Sequence, residues 1–125
     1  MAELFCKKAI TEIMPAARAA IAEKMYEEDI EQQVISKRLG ITQPAVSQYV
    51  NGVRGRTAKN MLKDKRMSSF LDSLIKKLED ENYNINLDTC KVCEEARKTK
   101  VVDVPRGKEF LCLIEMIKKN YGKYP

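Results

Sequence analysis

A glutamine amide can donate one hydrogen bond and accept another at once, matching the N7 and N6 edge that adenine presents in a DNA major groove. Gln43 and Gln48 carry such amides, with the less selective hydroxyl of Ser47 between them. Thr42 and Pro44 flank the first glutamine and belong to the same DNA-facing set. Gln32 or Gln33 on one side, and Asn51, Arg54 and Arg56 on the other, suit phosphate oxygens. One glutamine would be ordinary polar helix surface; the whole set in one register predicts base reading. A second chemistry lies in four cysteines, Cys6, Cys90, Cys93 and Cys112. Thiolates hold zinc or iron–sulfur clusters, and Cys90 and Cys93, at i and i+3, can turn both sulfurs to one spot.

The elements that would position the glutamines span residues 32–51, read as two short helices hinged at Gly40. Val34, Ile35 and Leu39 are expected to pack the first helix on its partner. Gly40 ends it, because the residue just past a helix end often takes a left-handed conformation that glycine adopts without steric cost. Ile41 returns to the core, and Thr42 is a good N-cap. Pro44 loses nothing in the first turn, where amide hydrogens have no intrahelical partner. Val46 and Val50, with Tyr49 beside them, form the buried stripe, leaving Gln43, Ser47, Gln48 and Asn51 to face outward.

The rest of the chain reads as helical. Residues 2–14 put Phe5, Cys6, Ala9, Ile10 and Ile13 on one face, and Pro15 breaks or kinks that segment before a helix over 16–28. Residues 52–56 form a loop, Thr57 caps a short helix toward Lys63, and Ser68 or Ser69 caps a longer one to about Glu81. Its buried stripe is Phe70, Leu71, Leu74, Ile75 and Leu78. A polar connection over 82–87 leads to a helix capped by Asp88 or Thr89 and running to about Lys98. Residues 101–107 are extended or looped, with Val101, Val102 and Val104 able to make a short strand, and a last helix covers 108–120. The expected fold is all-α: a helix-turn-helix domain over 1–66 and a helical C-terminal region over 67–125 for dimerisation and cysteine ligation.

Charge agrees with a polyanion partner. The 125 residues carry a net charge of +5, but eight positive residues against Asp64 alone give 34–66 a local +7. The remainder is slightly acidic, so DNA would be drawn to the helix-turn-helix and the segment after it, and binding should weaken steeply with salt. No stretch approaches the roughly 20 apolar residues that cross a bilayer, and no signal-peptide pattern opens the chain, so a cytoplasmic protein is expected.

The run from Leu39 to Tyr49, closing with Asn51-Gly52 and Arg54-Gly55, resembles the Cro and phage-repressor type of helix-turn-helix regulator. That resemblance implies that Gln32 and Gln43, each opening a motif helix, contact DNA together. Over nearly the whole chain the sequence is similar to small archaeal predicted transcriptional regulators of this type, with residues 15–22 like their helix before the motif. Those regulators tend to carry a cysteine near the N-terminus, a Cys-x-x-Cys after the motif and a Leu-Cys near the C-terminus, matched by Cys6, Cys90 with Cys93, and Leu111-Cys112. They often end soon after with a histidine. This chain has none, which excludes a histidine ligand.

The cysteines admit several uses. In an intracellular protein disulfides are the less common one, and each cysteine can be a small buried hydrophobe. That reading suits Cys6, beside Phe5 and Ile13. It suits Cys112 poorly, because Phe110, Leu113, Ile114, Ile117 and Tyr121 define the buried stripe of the last helix and Cys112 lies nearly opposite. Structural zinc sites usually pair two tight Cys-x-x-Cys turns, whereas one pair and two solitary cysteines suit an iron–sulfur cluster, of the 4Fe–4S type, with Lys91, Arg97 and Lys98 offsetting its charge. Zinc, and free or redox-paired thiols, remain alternatives, while a dithiol enzyme would ordinarily show a βαβ pattern that is missing. The expectation is a homodimeric, sequence-specific regulator, not an enzyme, that acts as a repressor. It reads a near-palindromic operator in double-stranded DNA, and its affinity is set by the cluster.

Overall fold

Helix α2, Met14–Glu27, is alanine-rich and is surrounded by the helices that follow it. Its buried residues, Met14, Ala17, Ala19, Ala20, Ile21, Ala22 and Met25, point in every direction around the axis at 100° per residue. A helix apolar all round belongs inside a bundle. Accordingly α2 touches each of the five helices that follow it: α3 (Gln32–Leu39), α4 (Gln43–Val50), α5 (Arg56–Lys63), α6 (Lys65–Lys77) and α7 (Thr89–Lys98). This computed structural model describes residues 3–53, 55–102 and 110–111, with side chains over 6–53 and 55–102. Within them the fold is all-helical, with six helices of eight residues or more. The one exception is a parallel pair of two-residue strands, β1 (Glu3–Leu4) and β2 (Phe110–Leu111). One hydrophobic cluster runs from Ala9 to Val102 and so includes residues on both sides of Arg66.

The N-terminal helix does not break at Pro15. Helical winding is continuous from α1 (Phe5–Lys8) through a π-helical segment, Ala9–Ile13, into α2, whose first turn contains Pro15. Proline has no N–H for the carbonyl one turn behind it, and the chain widens there instead of stopping. The Met14 N–H reaches back to Ala9 O. The extra residue per turn changes the phase: Ala9 and Ile13 are buried, but Ile10, expected on the same face, is 65% exposed.

Two expected caps are replaced. Gly55, not Thr57, precedes α5, and the Thr57 hydroxyl donates to Glu12 Oε1 at 3.3 Å. Asp64, not Ser68 or Ser69, caps α6 by accepting from the Met67 N–H at 2.8 Å, and α6 ends at Lys77, short of Glu81. Aspartate outranks a residue inside the helix as a cap because its carboxylate reaches the orphan N–H groups of the first turn. The stripe Leu71, Leu74, Ile75 and Leu78 is buried as its spacing predicts, with Phe70 half-buried. The connection expected to be polar hides Ile85, which opens a 3-10 turn, Ile85–Asp88. Val101 and Val102 are buried bends, not a strand. Phe110–Leu111, expected within the last helix, pair instead with Glu3–Leu4, a non-local backbone partner that local periodicity does not reveal. Residues 108–109 and 112–120 of that expected helix, and Val104, lie outside the described residues.

Asp88 ties the C-terminal helices together. Its carboxylate accepts from Lys77 Nζ at 2.9 Å and from the Tyr83 hydroxyl, with Lys91 Nζ 3.8 Å away. Burial pushes the Asp88 carboxyl up, but the hydrogen bonds from Tyr83 and Lys77 and the nearby lysine charges outweigh it and hold the group below its ordinary value. Burial, then the bond to Asp88, pushes the Tyr83 phenol up. A depressed folded value means that stabilisation is complete above the unfolded value of about 3.9 and is lost as pH falls through the lower folded value. Asp88→Asn should therefore lower stability at pH 7 by about 1–3 kcal/mol. In urea unfolding across pH, the gap between variant and wild type should close below about pH 4.

Candidate functional site

Helices α3 and α4 pack on each other and both rest on α2. The turn between them is held by four hydrogen bonds. Gly40 takes φ 66°, and the N–H groups of Gly40 and Ile41 both reach Ser36 O, satisfying the carbonyl left open at the end of α3. The Ser36 hydroxyl donates to Ile41 O across the turn. The Thr42 hydroxyl oxygen accepts from the Ala45 N–H at 3.2 Å, so Thr42 caps α4, with Pro44 in the first turn. Ile41 packs, half-buried, against the core.

Around α4 the side chains divide cleanly. At 100° per residue, Gln43, Ser47, Asn51, Pro44 and Gln48 fall within an arc of about 140°. Ser47 is half-buried and the other four are exposed. The opposite arc holds Val46, fully buried, with Ala45, Tyr49 and Val50 partly so. Asn51 is partly committed, because its amide nitrogen donates back to Ser47 O at 2.8 Å and lies 3.5 Å from the Ser47 hydroxyl, which leaves its carbonyl oxygen the freest group for a partner. On α3, Ile35 and Leu39 are buried and Val34 is not: at 39% exposed it borders a shallow groove shared with Met25, Ile30 and Leu78. The buried line of α3 runs through i and i+4, and Val34 lies 100° off it. Gln32 is half-buried and Gln33, Thr42 and Arg56 are exposed. Arg54 lies outside the described residues.

One contribution escaped the sequence reading: Arg38 counted there only as positive charge. In the structure its guanidinium donates to the carbonyls of Leu78 and Glu79, both at 2.6 Å, fastening α3 to the end of α6. Nothing in the sequence announces a partner 40 residues away. Arg56, expected to meet phosphate, forms with Lys59 and Lys63 an exposed basic line on α5, opposite the buried Ala58 and Met61.

The cysteines are distributed as follows. Cys93 is buried in the core with Val92 and Ala96, Cys90 is exposed one turn before it on α7, and Cys6 on α1 is half-buried. Cys93 thus has the small-hydrophobe environment expected for Cys6. Among the described residues no three metal-ligating side chains converge, and Cys112 lies outside them. Two contacts bring the surrounding segments together. Helix α7 packs on Ala9–Ile13, which follows Cys6, and Leu111, which precedes Cys112 in sequence, pairs with Leu4.

Comparison with protein-family models, curated proteins and solved structures finds no match to this chain. No described helix is long and apolar enough to cross a membrane.

An added Cβ at Gly40 would meet nothing within 4 Å, so its constraint is backbone conformation alone. Gly40→Ala should cost about 1–2 kcal/mol in urea unfolding, and Gly40→Asn distinctly less, since asparagine tolerates the left-handed region. Equal losses would place the constraint elsewhere.

Proposed function

We propose that the protein is a sequence-specific, double-stranded-DNA-binding transcriptional regulator, a repressor, that works as a homodimer. The observation that carries this reading is the division of α4 into one buried arc and one exposed polar arc, presented behind a tightly held turn from α3. A helix of this kind lies in the major groove with its N-terminal residues on base edges, and α3 crosses the backbone. Gln43 and Gln48 would read adenines and Ser47 would add a less selective bond. Gln33, more exposed than Gln32, is the better placed of the two for a phosphate. Arg56, joined by Lys59 and Lys63, would hold the backbone beyond α4. Two protomers would reach half-sites about one turn apart, which makes the operator near-palindromic.

Gln43→Ala tests the assignment. It should weaken operator binding by about 1–3 kcal/mol and relax selectivity at one base pair, measured by titrating operator variants at fixed salt. Unchanged affinity and selectivity would remove α4 as the reading helix.

We also propose that the four cysteines hold an iron–sulfur cluster that conditions DNA affinity. The three described thiols do not by themselves form a ligand set, so this reading requires Cys112. Its support is the packing of α7 on the segment after Cys6 and the pairing of Leu4 with Leu111. The cluster would supply a redox-responsive link between chain segments distant in sequence. Anaerobically prepared protein should be brown and contain iron and acid-labile sulfide, and Cys90→Ser should lower both. A colourless protein with stoichiometric zinc would replace the sensor reading with a structural metal.

A further inference from the structure

A polar cleft of about 420 Å³ lies between the C-terminal end of α3 and the connection from α6 to α7. Arg18, Lys37, Arg38, Glu81, Tyr83 and Asn84 are among the residues that line it. Three positive side chains against one carboxylate leave it with a formal charge of +2. The way the two arginines are held matters more than the count. Arg18 donates to the side-chain oxygen of Asn86, and Arg38 donates through one nitrogen to the carbonyls of Leu78 and Glu79. None of these acceptors carries a formal charge, so the guanidiniums are fixed without an ion pair, although the carbonyls at the end of α6 bring the partial negative charge of a helix C-terminus that offsets part of Arg38. Among the described residues neither arginine nor Lys37 forms an ion pair. Elsewhere cations facing their neighbours do meet carboxylates: Lys24 with Asp72, Arg66 with Glu95, Lys77 with Asp88.

We infer that this cleft binds a small hydrophilic anion of the phosphate or phosphate-ester class. A guanidinium immobilised before the ligand arrives loses little further freedom on binding, and its planar fork of remaining donors matches phosphate oxygens. Lys37, exposed at the rim, adds a mobile point charge. The volume falls within the range of small-ligand pockets, and the asparagine amides and Tyr83 suit a polar ligand body over an apolar one. Concavity favours a small ligand over a duplex. Arg18 is half-buried on α2, whereas a DNA backbone is met by side chains that protrude. The inference stands apart from the nucleic-acid reading, because the phosphate titration that tests it contains no DNA.

The test is an NMR titration of the full chain with inorganic phosphate at constant ionic strength. Saturating amide shifts are expected at residues 37–40 and 82–86, and not on α5. Lys37→Gln should weaken binding about tenfold, the scale of one charge-assisted hydrogen bond, and Glu81→Gln should tighten it. Both positions are exposed, so both variants should fold. Shifts that grow linearly, centre on α5 or ignore both substitutions overturn the proposal. A second arm adds a random-sequence duplex without phosphate. If the duplex shifts the same amides and Lys37→Gln weakens it alone, the cleft belongs to a DNA backbone and the proposal falls. Failure of Gln43→Ala to alter DNA selectivity, with the phosphate site intact, would sink the regulator reading only.

Discussion

Close approach to α2 is the constraint on which the remaining helices depend. Four of its seven buried residues are alanines at 17, 19, 20 and 22, and an alanine holds a neighbouring helix no further away than its own backbone requires. Five helices can therefore share one axis of contact in a small chain. Interiors are packed as densely as organic crystals, so larger side chains at these positions would have to displace a whole helix. Met14, Ile21 and Met25 supply volume only along one line. Because α3, α4 and α5 each rest on this axis, the polar arc of α4 and the basic line of α5 are positioned as a unit by the same helix.

Orientation within that unit rests on backbone chemistry more than on side-chain volume. Gly40 supplies a left-handed residue, and Ser36 serves the turn twice, through its carbonyl and its hydroxyl. Arg38 then anchors the last turn of α3 to the carbonyls that α6 leaves open at its end. A helix C-terminus carries partial negative charge on those carbonyls, so a guanidinium there is favoured by the dipole as well as by the hydrogen bonds. The result is a link between the turn that aims α4 and the connection that leads to α7. Any ligand that engages Arg38 or the 82–86 segment acts on that link directly.

The helix pair was legible because its signals are local. Glycine past a helix end, threonine before the next one and proline in the first turn each have a meaning within a few residues, and the apolar positions of α4 fall on one side. Signals failed where the deciding partner was distant or where two local rules competed. Thr57 and Ser68 look like caps, but Gly55 and Asp64 lie nearer the points where α5 and α6 begin. Ile10 fits an α-periodic face that the π-helical winding before Pro15 abolishes. Phe110 fits a helical stripe, but its backbone is paired with β1. The cleft beside Gly40 was invisible because half its lining comes from a connection that reads as a featureless polar run.

Charge pairing separates the scaffold from the surface that would meet a partner. In the scaffold, Lys24, Arg66 and Lys77 join α2 to α6, α6 to α7, and α6 to the turn before α7, each against a carboxylate at 2.9–3.0 Å. Several of these groups are half exposed, where such a pair contributes about 0–1 kcal/mol and salt weakens it further. Along α5, by contrast, Arg56, Lys59 and Lys63 face solvent without ion pairs among the described residues. Self-repulsion there is a small cost to folding, which a polyanion such as the proposed DNA partner would offset. Raising salt therefore acts on the two regions differently. It removes little from a fold held by an apolar axis, and would remove much from the proposed association with DNA, in which each neutralised phosphate would release counterions.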